Sequence, residues 1–289
     1  MTERQRVSEA LAHDAGYYFD NAVLLEAGQS QFQTYEVWQL PRFGRFLRLD
    51  AAAMVSEGDE FIYHESLVHV PALAHPDPRR ALVLGGGDGG AIEELLKYPS
   101  MQHVVLVELD ATVVELARRY FPAMHRGAFD DPRVELRIQD GLVYVREVAP
   151  QLGLQFDLIF LDLTDPWSGA KELFGAAFLR DCKALLTSQG ALSTHVGSPH
   201  HHPNEVRHVM ADLQHVFRNV YLHVHYIPTF GASWGLAVAS DALDCAALTP
   251  QEINHRITAR GLCDLQHIDG EVYRAAGALP AHLRRLLGL

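Results

Sequence analysis

The stretch ALVLGGGDGGAIEELL, residues 81–96, constrains the fold more than any other. A short apolar run ends in a loop almost free of side chains, and the loop opens onto an amphipathic segment. A strand feeding a helix in this way begins a βαβ unit whose backbone a ligand can approach closely. Gly85, Gly87 and Gly90 fit G-x-G-x-x-G, and Glu108 ends VVLVE twenty residues after Asp88. Downstream, short apolar runs keep alternating with amphipathic ones: VELRIQD, FDLIFLDL, FLRDCKALL. Such alternation means a parallel sheet covered by helices. The later runs VYLHVHYIPTF and WGLAVAS read as adjacent antiparallel strands.

The part before this unit reads differently. YYFDNAVLLEA, FQTYEVWQL and RFLRLDA are aromatic and β-branched, and are separated by Gly28 and by Pro41–Gly44. DEFIYHESLVHVPALAHP then sets Phe61, Ile62, Leu67 and Val68 near a helical period, closed by Pro76 and Pro78. The change of texture near residues 70–78 divides the chain into a β-rich domain, 1–72, and a Rossmann-like α/β catalytic domain, 73–289.

The formal net charge of −12 argues against nucleic acid or an anionic membrane surface as partner, and it suits a cationic ligand. Cys182, Cys245 and Cys263 form neither a disulfide framework nor a CxxC pair. The N-terminus carries no apolar signal region, and no run approaches about 18 apolar residues, so a cytoplasmic protein is expected.

Asp88 narrows the ligand. In a dinucleotide site, a pyrophosphate lies on the glycine loop and helix N-terminus. A carboxylate there faces like charge, at a cost of roughly 4 kcal/mol per pair at about 4 Å and an effective dielectric near 20. A ligand whose near end is cationic is favoured instead. S-adenosylmethionine brings a sulfonium and an ammonium but also a carboxylate; its decarboxylated form is cationic throughout at this end. Asp88 is equally suited to capping the following helix, and the two uses are compatible.

DEFIYHESLVHVP, GGGDGG, VELD, QDG and DLTDP resemble, in order and spacing, the polyamine aminopropyltransferases, the family of spermidine synthase. The resemblance runs from about Gln33 to the C-terminus. It implies a methyltransferase-like Rossmann domain carrying a small N-terminal β-domain, in a homodimer or homotetramer. It implies no permanently bound cofactor, with decarboxylated S-adenosylmethionine as co-substrate. It also implies aminopropyl transfer to a small polyamine, with putrescine the default acceptor and release of 5'-methylthioadenosine. IPTFGASWGLAVASD and DEFIYHESLVH look more like the thermospermine synthase branch, so a longer amine such as spermidine is the alternative acceptor. A methyltransferase using intact S-adenosylmethionine is opposed by Asp88. A non-catalytic polyamine-binding relative is opposed by the paired Asp162 and Asp165.

An alkylamine resembles Lys, so freeing its lone pair near neutral pH costs about 3 pK units, roughly 4 kcal/mol. Paired carboxylates can hold the cation and take the proton. FDLIFLDLTDPW offers Asp162 at the end of an apolar strand, followed by Asp165. Spacing alone leaves open whether these cap and turn the chain or do chemistry. By resemblance, Asp162 is the base and, with Asp88, holds the aminopropyl ammonium. Asp165 then binds the acceptor amine, and Tyr63 assists proton removal. Glu108 takes the ribose hydroxyls, and Asp140, followed by Gly141, accepts from the adenine amine. Gln33 lies near the sulfur and ribose, and His64 contacts the nucleoside. The acceptor side departs from the family pattern. DPWSGAKELF replaces D-P-x-G-P-A, His195 stands for a glutamine, and Phe230 for a tyrosine. His195, with an ordinary pKa near 6.5, is expected to tune acceptor KM as it titrates. The run from Trp167 to Lys171 is the other candidate for setting acceptor preference. No metal site is expected: His223 and His225 form only half of one, and His200–His202 read as a loop.

Overall fold

A computed structural model describes residues 4–166 and 171–289, and it contains two sheets. The first is an antiparallel meander: β1 (Gln5–Ala12), β2 (Ala15–Gln29), β3 (Thr34–Leu40), β4 (Gly44–Leu49) and β5 (Ala52–Ser56), in sequential order. β1 carries no apolar run; only Val7 and Leu11 are buried, in the alternation of a one-sided strand. Val37, Leu47, Leu49 and Val55 from this sheet pack on Val113, Leu116, Phe121 and Met124 of the second domain.

The second sheet has seven strands: β6 (Arg80–Gly85), β7 (His103–Glu108), β8 (Val134–Ile138), β9 (Phe156–Asp162), β10 (Leu186–Gly197), β11 (Asn219–Ile227) and β12 (Ala232–Ser240). Their spatial order is β11-β12-β10-β9-β6-β7-β8. β10, β9, β6, β7 and β8 are parallel, and β12 pairs antiparallel with both β10 and β11. Ala81–Leu84 and Leu158–Leu161 are fully buried, as strands covered on both faces must be. The expected pair β11 and β12 runs in unbroken register from Asn219↔Ser240 to Ile227↔Ala232.

Helix α1 (Glu60–Ala74) is buried at every position from Tyr63 to Ala74. It packs on β9, β10, β11 and β12 and on α2 (Gly90–Leu96), where His69 bonds Tyr98 and Glu94 at 2.8 Å each. A division at residue 72 falls inside this helix. We place the change of domain between β5 and α1, since α1 shares the core of the second sheet. From β6 the chain winds outward through β7 and β8, and from β9 it winds the other way to β10. The carboxyl ends of β6 and β9 therefore meet at the switch point, where α/β sheets open a crevice. Among the described residues, no helix is long and apolar enough to cross a membrane.

Candidate active site

The glycine loop is seated on the end of β9. Gly85, paired with Asp162, has φ +77°, and a Cβ there would lie 2.1 Å from the Asp162 carbonyl oxygen. The Gly86 N–H donates to that oxygen at 2.8 Å. Glu108, at the end of β7, accepts from the Gly87 N–H at 3.1 Å and the Asp110 N–H at 2.9 Å. Burial pushes its carboxyl up to about 7 despite these bonds. Gln33 donates at 3.0 Å to Asp110, which also accepts from Ser30 Oγ at 2.6 Å and caps α3 (Ala111–Tyr120) through Thr112 N–H. The loop after β2 is thus latched to the end of β7. Sequence reasoning missed Asp110; an Asp before an amphipathic run signals its cap but not its latch.

The N-cap of α2 is Gly89, not Asp88; Asp88 lies one residue earlier and accepts from the Gly90 N–H at 2.8 Å, the first free donor of the helix. It also faces His64, whose Nε2 lies 3.5 Å from Asp88 Oδ1 and whose Nδ1 lies 2.7 Å from Glu60 Oε2. The resemblance directs His64 toward the nucleoside. Here its ring is buried between two acids and lies flat on Gly90, where a Cβ would come within 2.2 Å of it. Burial opposes the imidazolium, but Asp88 and Glu60 outweigh it and hold the pKa well above the usual range. Burial likewise opposes charge on Asp88; His64 and the Gly90 N–H outweigh it and hold its pKa low. Glu60 was not among the sequence candidates, although its i,i+4 spacing to His64 on a helix was a usable signal.

Asp162 completes the cluster. Its Oδ1 accepts from Tyr63 Oη at 2.8 Å, and its Oδ2 is buried with no hydrogen-bond partner. Burial first, then the neighbouring Asp88 charge, pushes it up to about 6. Tyr63 is held well above the usual phenol range by burial and by Asp162, so it is a proton donor to this acid. Ligand atoms of His64, Asp88 and Asp162 lie within 4.8 Å of one another.

The other wall is aromatic. Phe230 ends the turn Pro228–Phe230, with its ring 6.0 Å from Tyr63 and 5.1 Å from Trp234. Asp59 anchors this turn by accepting from Thr229 N–H and Oγ1 at 2.7 and 2.8 Å. Tyr17 of the first sheet reaches the Thr229 carbonyl at 2.6 Å and Glu9 at 3.0 Å. Burial raises Glu9, and burial together with the Glu9 charge pushes Asp165 up to about 7. Glu9 is another residue that sequence reasoning missed. His195 does not titrate as expected. Its Nε2 bonds the Leu163 carbonyl at 2.9 Å, Trp234 Nε1 approaches Nδ1 at 3.4 Å, and burial pushes the ring down to about 4. It is neutral near pH 6.5. Of the Trp167–Lys171 candidates, residues 167–170 lie outside the described residues.

Asp140 accepts from Leu142 and Val143 N–H at 2.7 and 3.4 Å, capping the turn that Gly141 opens after β8. His223 and His225 join a pairwise chain with His267, at 2.9 and 2.8 Å, in which His225 uses both ring nitrogens. His200–His202 lie between β10 and the helix Pro203–Val216, with the His200 ring 5.8 Å from His282.

The chain is similar to known proteins along nearly its whole length. Residues 60–247 match the family described as "Spermine/spermidine synthase domain". A polyamine aminopropyltransferase of Nitrosomonas europaea is 43% identical over 96% of this chain and 85% of its own. One from Pyrobaculum neutrophilum is 38% identical over 88% and 87%. The crystal structure of a spermidine synthase with the transition-state analogue AdoDATO superposes with a TM-score of 0.90 at 30% identity, over 100% of this chain and 97% of that one. The spermidine synthase of Thermotoga maritima superposes at 0.87, with 29% identity and the same coverage. With its acids gathered at the β6/β9 switch point, the chain belongs to the spermine/spermidine synthase family of polyamine aminopropyltransferases.

Proposed function

We propose that this chain transfers the aminopropyl group of decarboxylated S-adenosylmethionine to a small diamine, putrescine by default, releasing 5'-methylthioadenosine. The observation that carries the reading is Asp162. It is a half-buried acid held on one oxygen by Tyr63, with its other, buried oxygen unpartnered beside Asp88. In this reading, Asp88 and Asp162 hold the donor's ammonium, while Glu108 and Asp140 hold ribose and adenine. Gln33, through Asp110, closes the first sheet over the donor. Asp165 and Glu9 take the acceptor's distal ammonium, between Phe230 and His195. Asp162 accepts a proton from the near ammonium. The freed lone pair then attacks the carbon beside the sulfonium, a C–N bond forms, and the C–S electron pair leaves with the thioether. Tyr63 stays protonated and orients Asp162. His64 lies beside the donor's amine end in this scheme.

Mass spectrometry of products after incubation with decarboxylated donor and a mixture of putrescine, cadaverine, agmatine and spermidine tests the reading. Spermidine is the expected main product. A main product from spermidine would reassign the acceptor, and no aminopropylated product would overturn the function. We further propose a homodimer or homotetramer acting in the cytoplasm; light scattering of the purified protein tests the oligomer.

A further inference from the structure

We propose that the cradle formed by His64, Asp88 and Asp162 also binds a divalent cation of the zinc class, in competition with the donor's ammonium. The three ligand atoms lie within 4.8 Å of one another. His64 is 1% exposed, and its Nε2, 3.5 Å from Asp88 Oδ1, makes no hydrogen bond. A bound ion takes the place of the proton that Asp88 and Glu60 favour on this ring, so binding releases a proton. Zinc bond lengths of about 2.0–2.2 Å place tetrahedral ligands about 3.4 Å apart, so this edge is already set. Asp162 Oδ2 is the second unpartnered buried atom of the group, because Tyr63 occupies Oδ1.

The surroundings support the same ion. A metal-bound imidazole is oriented by a carboxylate on its other nitrogen, and Glu60 sits 2.7 Å from His64 Nδ1. Gly90 fixes the ring plane by leaving no space for any side chain beneath it. One nitrogen and two carboxylate oxygens suit zinc or cobalt better than magnesium, which demands an octahedral, water-rich shell. The bound ion occupies the oxygens that the proposed mechanism gives to the ammonium and the proton, so it inhibits. The competition rests on the proposed function; the binding itself does not.

Cobalt(II) absorption and zinc calorimetry on metal-free full-length protein test this. One ion per chain is expected, displaced by decarboxylated donor. Glu60→Gln should weaken the ion about 10- to 100-fold, and His64→Gln should abolish it. Replacing His200, His201 and His202 by Ser should change nothing. No binding at millimolar ion, ion binding indifferent to a donor that does bind, or loss of binding with the His200–His202 change overturns the proposal. If His64→Gln does not fold, Glu60→Gln and donor displacement decide. Donor calorimetry without metal separates the two readings, since failure there strikes the proposed function.

Discussion

The two sides of the crevice handle charge in opposite ways. On the glycine-loop side, Asp88 arrives already compensated: His64 and Gly90 hold it ionised, and Glu60 braces His64. On the aromatic side, Asp165 and Glu9 are half-buried acids, each raised by loss of water, and the Glu9 charge adds to the cost of ionising Asp165. Asp162 stands between the two regimes, raised to about 6 by burial and by Asp88. A site with preset charges can bind a ligand of fixed charge. A site of reluctant acids gains its full charge when a cation enters, which couples acceptor binding to proton release.

The largest break in this comparison should come at Asp162. Asp162→Asn is expected to lower kcat about 10²- to 10⁴-fold, the usual worth of a general base, with donor affinity changed less than about tenfold. Near-normal turnover at saturating substrates would remove Asp162 as the base. The same variant should be more stable without ligands. A folded-state pKa above the unfolded value favours the protonated fold, so the stability that Asp162 contributes is lost as pH rises from about 4 through about 6. Above that, the ionised acid costs on the order of 1–3 kcal/mol, and Asn should raise the Tm at pH 7.5 by a few degrees.

Asp88→Asn comes next. Losing a charged partner for the donor's cation should weaken donor binding about 10- to 100-fold by calorimetry. It should also move the acidic limb of kcat/KM below about 6, because the charge that raises Asp162 is gone. An unmoved limb would mean the two acids do not act on each other. On the opposite side, acceptor KM should fall as pH rises through about 7, where Asp165 ionises. Asp165→Asn should raise acceptor KM about tenfold at pH 8 with kcat little changed. Glu9→Gln should shift the KM transition to lower pH. The smallest effect is expected at His195. His195→Gln should leave the pH profile between 6 and 8 as it was, since the ring is already neutral there. A limb near 6.5 that vanished in this variant would restore it as a titrating group.

Much of this was legible in the chain because it is local. Strand, glycine loop and helix are contiguous, so residues 81–96 announced the crevice without any distant partner. The acids at the ends of β6, β7, β8 and β9 were visible as polar residues closing apolar runs. β1 was not visible, since a one-sided strand with two buried side chains has no apolar run. The extent of α1's burial was hidden as well, because a helix covered on all sides has little amphipathic contrast.

What the sequence determined by itself is the set of groups and their order: a cation-seeking acid in a glycine loop, a base at a strand end, and an altered acceptor wall. Only the tertiary structure decided their ionisation and their neighbours. His195 looked like a switch near neutrality until burial, the Leu163 carbonyl and Trp234 left it a neutral wall residue. Asp165 looked like an ordinary acid until Glu9, 156 positions earlier, came close enough to act on it. A pKa is set by desolvation and by charges within a few ångströms. Those are properties of a folded interior, where residues far apart in the chain lose their water together.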